Sequence, residues 1–204
     1  PDPYRWLEDL NSNQTSAWVK AQSSLTESYL DAIPGRQALE NHLTKLWNVE
    51  RLGVPSFEGG YYFFSKNDGL QNQSVLYSTK SLDTKPAVLL DPNTFSDDGT
   101  VALRSYEVSP DGKYLAYSTS ASGSDWVEWQ VREISSGKDL SDHLKWSKFS
   151  GVSWAKDSKG FYYGRFPTPK DGEEMMAENI HKKIYFHEIG KPQSEDLLVY
   201  ERPN

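Results

Sequence analysis

The chain has 204 residues, enough for one ordinary domain or one and a half. Aromatic residues make up 13%, with 7 Trp and 12 Tyr, a composition that suits packed sheets rather than a disordered chain. A net charge of −7 with scattered Lys and Arg speaks against a nucleic-acid partner, the lack of Cys excludes disulfides and a thiolate zinc site, and no apolar run approaches the ~20 residues of a membrane helix.

The first fifty residues are spaced for helices. Asn11 stands three residues ahead of Gln14, the arrangement of a capping box. Trp18, Ala21, Leu25 and Tyr29 then follow at steps of three and four, marking one helical face. Pro34-Gly35 ends that helix, and Leu39, Leu43 and Leu46-Trp47 continue the pattern. Residues 12–33 and 35–48 therefore read as a helical pair.

After Val54 the period shortens. Tyr61-Tyr62-Phe63-Phe64, Val75-Leu76-Tyr77, Ala87-Val88-Leu89-Leu90, Tyr114-Leu115-Ala116-Tyr117 and Phe161-Tyr162-Tyr163 are short runs bounded by turn residues. They also repeat. Ser109-Pro-Asp-Gly-Lys-Tyr-Leu-Ala-Tyr-Ser118 returns as Ala155-Lys-Asp-Ser-Lys-Gly-Phe-Tyr-Tyr-Gly164, with a weaker copy at Phe57-Glu-Gly-Gly-Tyr-Tyr-Phe-Phe-Ser65. Each copy is followed by a second strand: Ser74–Thr79, Glu128–Ile134 and Lys183–Ile189. A period of roughly 50 residues is that of a propeller blade. The fold class is mostly β with an N-terminal α-helical segment: an incomplete β-propeller of about two to three blades. The stretch from Pro167 to Glu178, Pro-rich and then acidic, reads as a long loop.

The search for chemistry returns little. A nucleophile elbow requires Gly-x-Ser-x-Gly, and the nearest string, Gly151-Val-Ser153-Trp-Ala155, lacks the second Gly, so Ser153 reads as a strand residue. His42, His143, His181 and His187 have no metal-ligand spacing and read as surface or hydrogen-bonded side chains. Asp97-Asp98-Gly99 reads as a turn rather than a calcium loop, and Ser153-x-x-x-Asp157-Ser-Lys-Gly160 fits a hairpin-stabilising turn. No phosphate-binding glycine loop occurs, and no cofactor is expected. Asn13-Gln14-Thr15 and Asn72-Gln73-Ser74 fit the glycosylation pattern, which chance often produces. Pro1 in place of an initiator Met points to a lost upstream segment.

Asp2-Pro-Tyr-Arg-Trp-Leu-Glu-Asp9 resembles the opening segment of the prolyl oligopeptidases and of the related oligopeptidase B enzymes. Gly69-Leu-Gln-Asn-Gln73, Leu90-Asp-Pro-Asn93 continuing into Ser96–Arg104, and Ser120-Ala-Ser-Gly-Ser-Asp-Trp126 resemble prolyl oligopeptidase proper, as does Gln193-Ser-Glu-Asp-Leu197. The resemblance implies a peptidase in which an α/β-hydrolase domain carries Ser, His and Asp for acyl transfer. A seven-bladed propeller would cover that site, admit only short peptides, and leave cleavage to occur after proline. On this resemblance residues 1–50 are a helical segment that packs on the hydrolase domain, and residues 51–204 are the first blades. The triad lies outside this chain. The expected partners are short proline-containing peptides and the C-terminal hydrolase domain, with neither nucleic acid nor membrane.

One substrate contact carries over by resemblance: Phe149, in Lys148-Phe149-Ser150, matches a Phe that helps form the pocket beyond the proline site, against ordinary blade packing. Asp125, in Ser-Asp-Trp, is a second candidate that would attract a peptide's amino end, against a turn or capping role. The compartment expected is cytoplasmic, with periplasm and secretion open. Two rival readings remain at this stage: a non-catalytic propeller interaction module, and an oligopeptidase B-like peptidase cleaving after basic residues.

Overall fold

A computed structural model describes residues 1–176 and 178–202. The chain divides into two compact units: Pro1–Asn48 with Lys170–Met175, and Val49–Pro169 with Met176–Asn204.

The first unit is helical. A short 3-10 turn, Arg5–Glu8, precedes α1 (Asn13–Asp31) and α2 (Arg36–Trp47). The N-cap of α1 is Ser12, not Asn11: Ser12 Oγ accepts from Thr15 N at 3.1 Å. A Ser hydroxyl one residue closer to the helix reaches the orphan N–H groups directly, so the Asn11–Gln14 spacing is coincidental. Asn11 instead donates through Nδ2 to the Gly172 carbonyl at 3.1 Å. Gly35, at φ 86°, supplies the left-handed residue between the helices. Trp6 meets Trp18 edge to face at 6.2 Å. Thr15 is the only residue of the two helices that is buried, and Trp18, Leu25, Tyr29, Leu39, Leu43 and Leu46 are exposed.

The second unit is three antiparallel sheets. The first holds β1 (Arg51–Leu52), β2 (Ser56–Glu58), β3 (Tyr61–Asn67), β4 (Val75–Thr79) and β5 (Ala87–Leu90). The second is a four-strand meander, β6 (Val101–Val108), β7 (Tyr114–Ala121), β8 (Val127–Glu133) and β9 (Lys138–Ser147). The third repeats it with β10 (Val152–Trp154), β11 (Gly160–Arg165), β12 (Lys183–Glu188) and β13 (Leu197–Glu201).

The repeated strings become one turn built twice. Ser109 N donates to Tyr114 O at 2.8 Å, and Gly112 N to Ser109 O at 2.8 Å. In the third sheet Ala155 N donates to Gly160 O at 2.9 Å, and Ser158 N to Ala155 O at 3.0 Å. Gly112 has φ 69° and Ser158 φ 59°, the left-handed position that Asp-Gly and Asp-Ser supply. The turns also interlock: Asp111 N donates to Ser158 Oγ at 3.1 Å, and a Cβ on Gly59 would lie 2.2 Å from Gly112 Cα.

Strand alternation then fills the spaces between sheets. Phe63, Leu76 and Leu90 of the first sheet pack with Val108, Leu115 and Tyr117 of the second. Ala116, Trp129, Val131 and Leu144, on the opposite face of the second sheet, pack with Phe161 and Tyr163 of the third. Successive residues of β7 thus serve two cores, which is why its run reads as continuously apolar.

Candidate functional site

Phe149 lies in the link between β9 and β10, where the chain passes from the second sheet to the third. Trp146, next to last in β9, has φ 64°, and Phe149, in the link, has φ 51°, two bulky residues in the left-handed region three positions apart. Such a conformation costs roughly 1–2 kcal/mol per non-glycine residue and persists only where surrounding contacts enforce it. Those contacts are visible. The Ser147 hydroxyl, fully buried, donates to Gly164 O at 2.8 Å and receives Trp129 Nε1 at 3.3 Å. Phe166 N donates to Trp146 O at 2.8 Å. Phe149 O accepts from Lys182 Nζ at 2.9 Å.

The outcome is a buried lysine beside an exposed ring. Lys148 is only 5% exposed, and its Nζ stands 3.8 Å from the Trp126 ring centroid and 5.6 Å from that of Phe166. Trp126 meets Phe166 and Trp146 edge to face, at 6.1 and 5.6 Å. A desolvated ammonium against aromatic faces is held by cation–π attraction. Phe149 is 62% exposed. The strained backbone turns this large apolar side chain outward, with Lys148 Nζ 6.0 Å from its centroid, and its exposed face offers a surface on which another apolar group can be buried.

Asp125 lies in the β7–β8 hairpin and is exposed. Its loop is a hydrogen-bonded turn: Ser122 and Gly123 have φ 50° and 74°, Ser124 N donates to Ala121 O at 2.9 Å, and Trp126 N donates to Ser124 Oγ at 3.1 Å. The segments of Asp125 and Phe149 are joined by the contact of Lys148 with Trp126, so the structure brings both candidates to one region of the second sheet.

Sequence reasoning missed Lys148, Phe166 and Lys182. Trp126 lay in a quoted string without a role, and nothing in the pattern marks Lys148 for burial. It also left the degree of His187's commitment unread. His187 is fully buried, with Nδ1 2.7 Å from Asp196 Oδ1 and Nε2 2.9 Å from Asp142 Oδ1. Both ring nitrogens are therefore engaged, and among the described residues no serine or threonine hydroxyl is hydrogen-bonded to the ring. Ser153 is in β10, paired opposite Tyr162. Among the described residues no cluster of His, Asp and Glu could hold a metal ion, and no helix is long and apolar enough to cross a membrane. A cavity of about 310 Å³ between the first two sheets is lined by Phe95, Tyr117, Gln130, Arg132 and Asp139. Its polar groups serve each other, since Arg132 grips Asp139 through two bonds of 2.7 Å and Tyr117 donates to Gln130 at 2.7 Å.

The family model described as "Prolyl oligopeptidase, N-terminal beta-propeller domain" matches residues 1–204. The chain is 43% identical over 198 residues to a prolyl endopeptidase of Elizabethkingia meningoseptica, covering 97% of this chain and 28% of that protein. It is 38% identical over 225 residues to the prolyl oligopeptidase ophP of Omphalotus olearius, covering 99% and 30%. Among solved structures, a prolyl endopeptidase studied for inter-domain dynamics in catalysis and specificity superposes with a TM-score of 0.89 at 32% identity, over 98% of this chain and 30% of that one. Prolyl oligopeptidase B of Galerina marginata, bound to a 35mer hydrolysis and macrocyclization substrate, gives 0.83 at 34% identity, over 99% and 31%. Oligopeptidase B of Leishmania major gives 0.74 at 17% identity, a likeness of fold alone. The chain thus spans less than a third of the length of these relatives.

Proposed function

Because the chain belongs to the prolyl oligopeptidase family, as its N-terminal propeller section, we propose that it forms the substrate-selecting front of a serine peptidase that cleaves short peptides after proline. In this reading the chemistry resides in a separate α/β-hydrolase domain, where Ser attacks the prolyl carbonyl with His as base. This chain supplies access and side-chain selection.

The observation that carries the proposal is the exposed Phe149 ring on a link held by Ser147, Lys148 and Lys182. The ring receives the side chain two residues before the scissile proline, and nearby Asp125 attracts the peptide's free amino end. The uncovered apolar side chains of α1 and α2, Trp18, Leu25 and Leu39 among them, provide a face for the hydrolase domain.

The test uses the intact enzyme and peptides that vary in that one position. Burying a large side chain on an aromatic ring is worth about 1.5–3 kcal/mol. Phe149→Ala is therefore expected to lower kcat/KM roughly tenfold or more for Phe or Leu at that position and little for Gly. Asp125→Asn, in the same assay, raises KM for free-amino peptides over acetylated ones. Unchanged kinetics across the series would reduce Phe149 to packing.

A further inference from the structure

The exposed Phe149 ring needs an agent that fixes its direction, and the structure supplies one from the third sheet. Lys182 stands 33 residues further along the chain, immediately before β12, and donates from Nζ to the Phe149 carbonyl at 2.9 Å. To reach it the side chain crosses β11 at Gly164. A Cβ on Gly164 would lie 2.4 Å from Lys182 Cε and 3.2 Å from its Nζ. The same Cβ would lie 2.8 Å from Ser150 Oγ, and Gly164 is not among the residues with positive φ, so what its lack of a side chain provides is room for these two side-chain ends and not backbone freedom.

Gly164 is also gripped by the link itself. Its carbonyl accepts from Ser147 Oγ at 2.8 Å, and its N–H donates to Ser150 Oγ at 3.3 Å. One glycine thus accepts a bond from one side of Phe149, donates one to the other, and leaves room for the lysine that bonds the Phe149 carbonyl. Burial shifts the Lys182 ammonium below its ordinary pKa, as expected for a cation withdrawn from water. The bond to the Phe149 carbonyl is itself exposed, and its charged donor gives it direction. Left to itself, a Phe backbone would leave the left-handed region, and the ring would turn with it.

We propose that Lys182, through the gap at Gly164, is a positioning residue for Phe149, and that it thereby sets the enzyme's preference for a large side chain two residues before proline. The inference rests on the reading of Phe149 as the substrate contact, and the experiment separates the two.

In the intact enzyme, the quantity to measure is the ratio of kcat/KM for peptides carrying Phe and Gly at that position. Lys182→Met is expected to lower the ratio at least threefold, with the larger loss on the Phe peptide. Gly164→Ala, whose methyl crowds both the Lys182 side chain and Ser150 Oγ beside Phe149, is expected to lower the ratio too. Lys182→Arg restores part of the ratio. Phe149→Ala with Lys182→Met loses no more than Phe149→Ala alone, because the lysine acts only through the ring. If Phe149→Ala collapses the ratio and Lys182→Met and Gly164→Ala do not, the positioning role is overturned while the substrate contact stands. If Phe149→Ala leaves the ratio intact, both fall. Equal losses on both peptides in every variant that remains active also overturn the proposal, since they report general damage and not the direction of one ring.

Discussion

Gln73 and Gln193 each present a side-chain amide to the backbone of a neighbouring sheet. Gln73 Nε2 donates to Val101 O at 2.8 Å, and its Oε1 accepts from Leu103 N at 2.9 Å. Gln193 Nε2 donates to Lys145 O at 3.0 Å, and its Oε1 accepts from Lys145 N at 3.1 Å. In both cases a primary amide replaces the strand that β6 or β9 lacks on its outer side, and satisfies a donor and an acceptor together. Gln73 is fixed in turn by Asn93, whose Oδ1 accepts from Gln73 N at 3.0 Å and whose Nδ2 donates to Gln73 O at 2.9 Å. Gln193→Leu leaves both Lys145 backbone groups unpaired and removes the donor to Tyr163. Because water can reach the Lys145 groups, a cost of about 0.5–1.5 kcal/mol is expected, read as a lower midpoint in denaturant at unchanged slope. These residues were legible as family-like strings around Gln73, Asn93 and Gln193, yet their job was not. Period and composition report which strands exist, and a polar side chain spanning two sheets leaves no periodic trace.

At the level of elements, β9, β12 and the turn ahead of β13 meet at His187. Asp142 reaches it from β9 and Asp196 from the turn, while Tyr163 of β11 donates to Asp196 Oδ2 at 2.5 Å and the Phe161 ring lies 5.4 Å away. Gly190 N also donates to Asp142 Oδ1 at 2.6 Å. Burial is the largest single influence and pushes the imidazole down, but the hydrogen bonds and charges of the two carboxylates outweigh it and raise the pKa to about 9. Burial likewise pushes the Tyr163 phenol up, which keeps it a donor to Asp196. An imidazolium between two carboxylates thus clamps the second sheet to the third. A folded pKa above the unfolded value of about 6.5 means that the clamp contributes fully below pH ~6.5 and is lost as pH rises through about 9. The thermal midpoint is therefore expected to fall between pH 6.5 and 9 by more than in a His187→Gln variant, at up to about 1.4 kcal/mol per pH unit. Differential scanning calorimetry of both proteins across that range checks it. The strand around His187 was evident from Lys183–Ile189, but β9 and β13 went unnamed because their alternation is diluted by charged residues such as Asp139, Lys145 and Glu201. The partners that give His187 its character come from 45 residues upstream and 9 downstream, beyond any local motif.

For the whole molecule, an Asp–His–Asp chain invites confusion with a catalytic relay, and its geometry rules that out. A general base needs one nitrogen free to take a proton from a hydroxyl at roughly 2.6–3.2 Å. Both His187 nitrogens are bonded to carboxylates, and the ring is fully buried. Among the described residues no serine hydroxyl is hydrogen-bonded to a histidine. What the second unit offers is scaffolding that turns the Phe149 ring outward, and what the helical unit offers is an apolar face: Trp18, Leu25, Tyr29, Leu39 and Leu46 are exposed on two helices that bury almost nothing of their own. Helices of this length owe their stability mainly to packing of an apolar side, so α1 and α2 require a partner body to be well protected. The 204-residue chain by itself is therefore expected to show no turnover of a Gly-Pro chromogenic peptide. Its α1 and α2 amides are expected to exchange with solvent many-fold faster than the same amides in the intact enzyme, while β7, β8 and β11 remain slow in both. Activity in the isolated chain that a serine-directed reagent abolishes would place a nucleophile in this section after all. Equal protection of the helices in both forms would mean that they need no further domain.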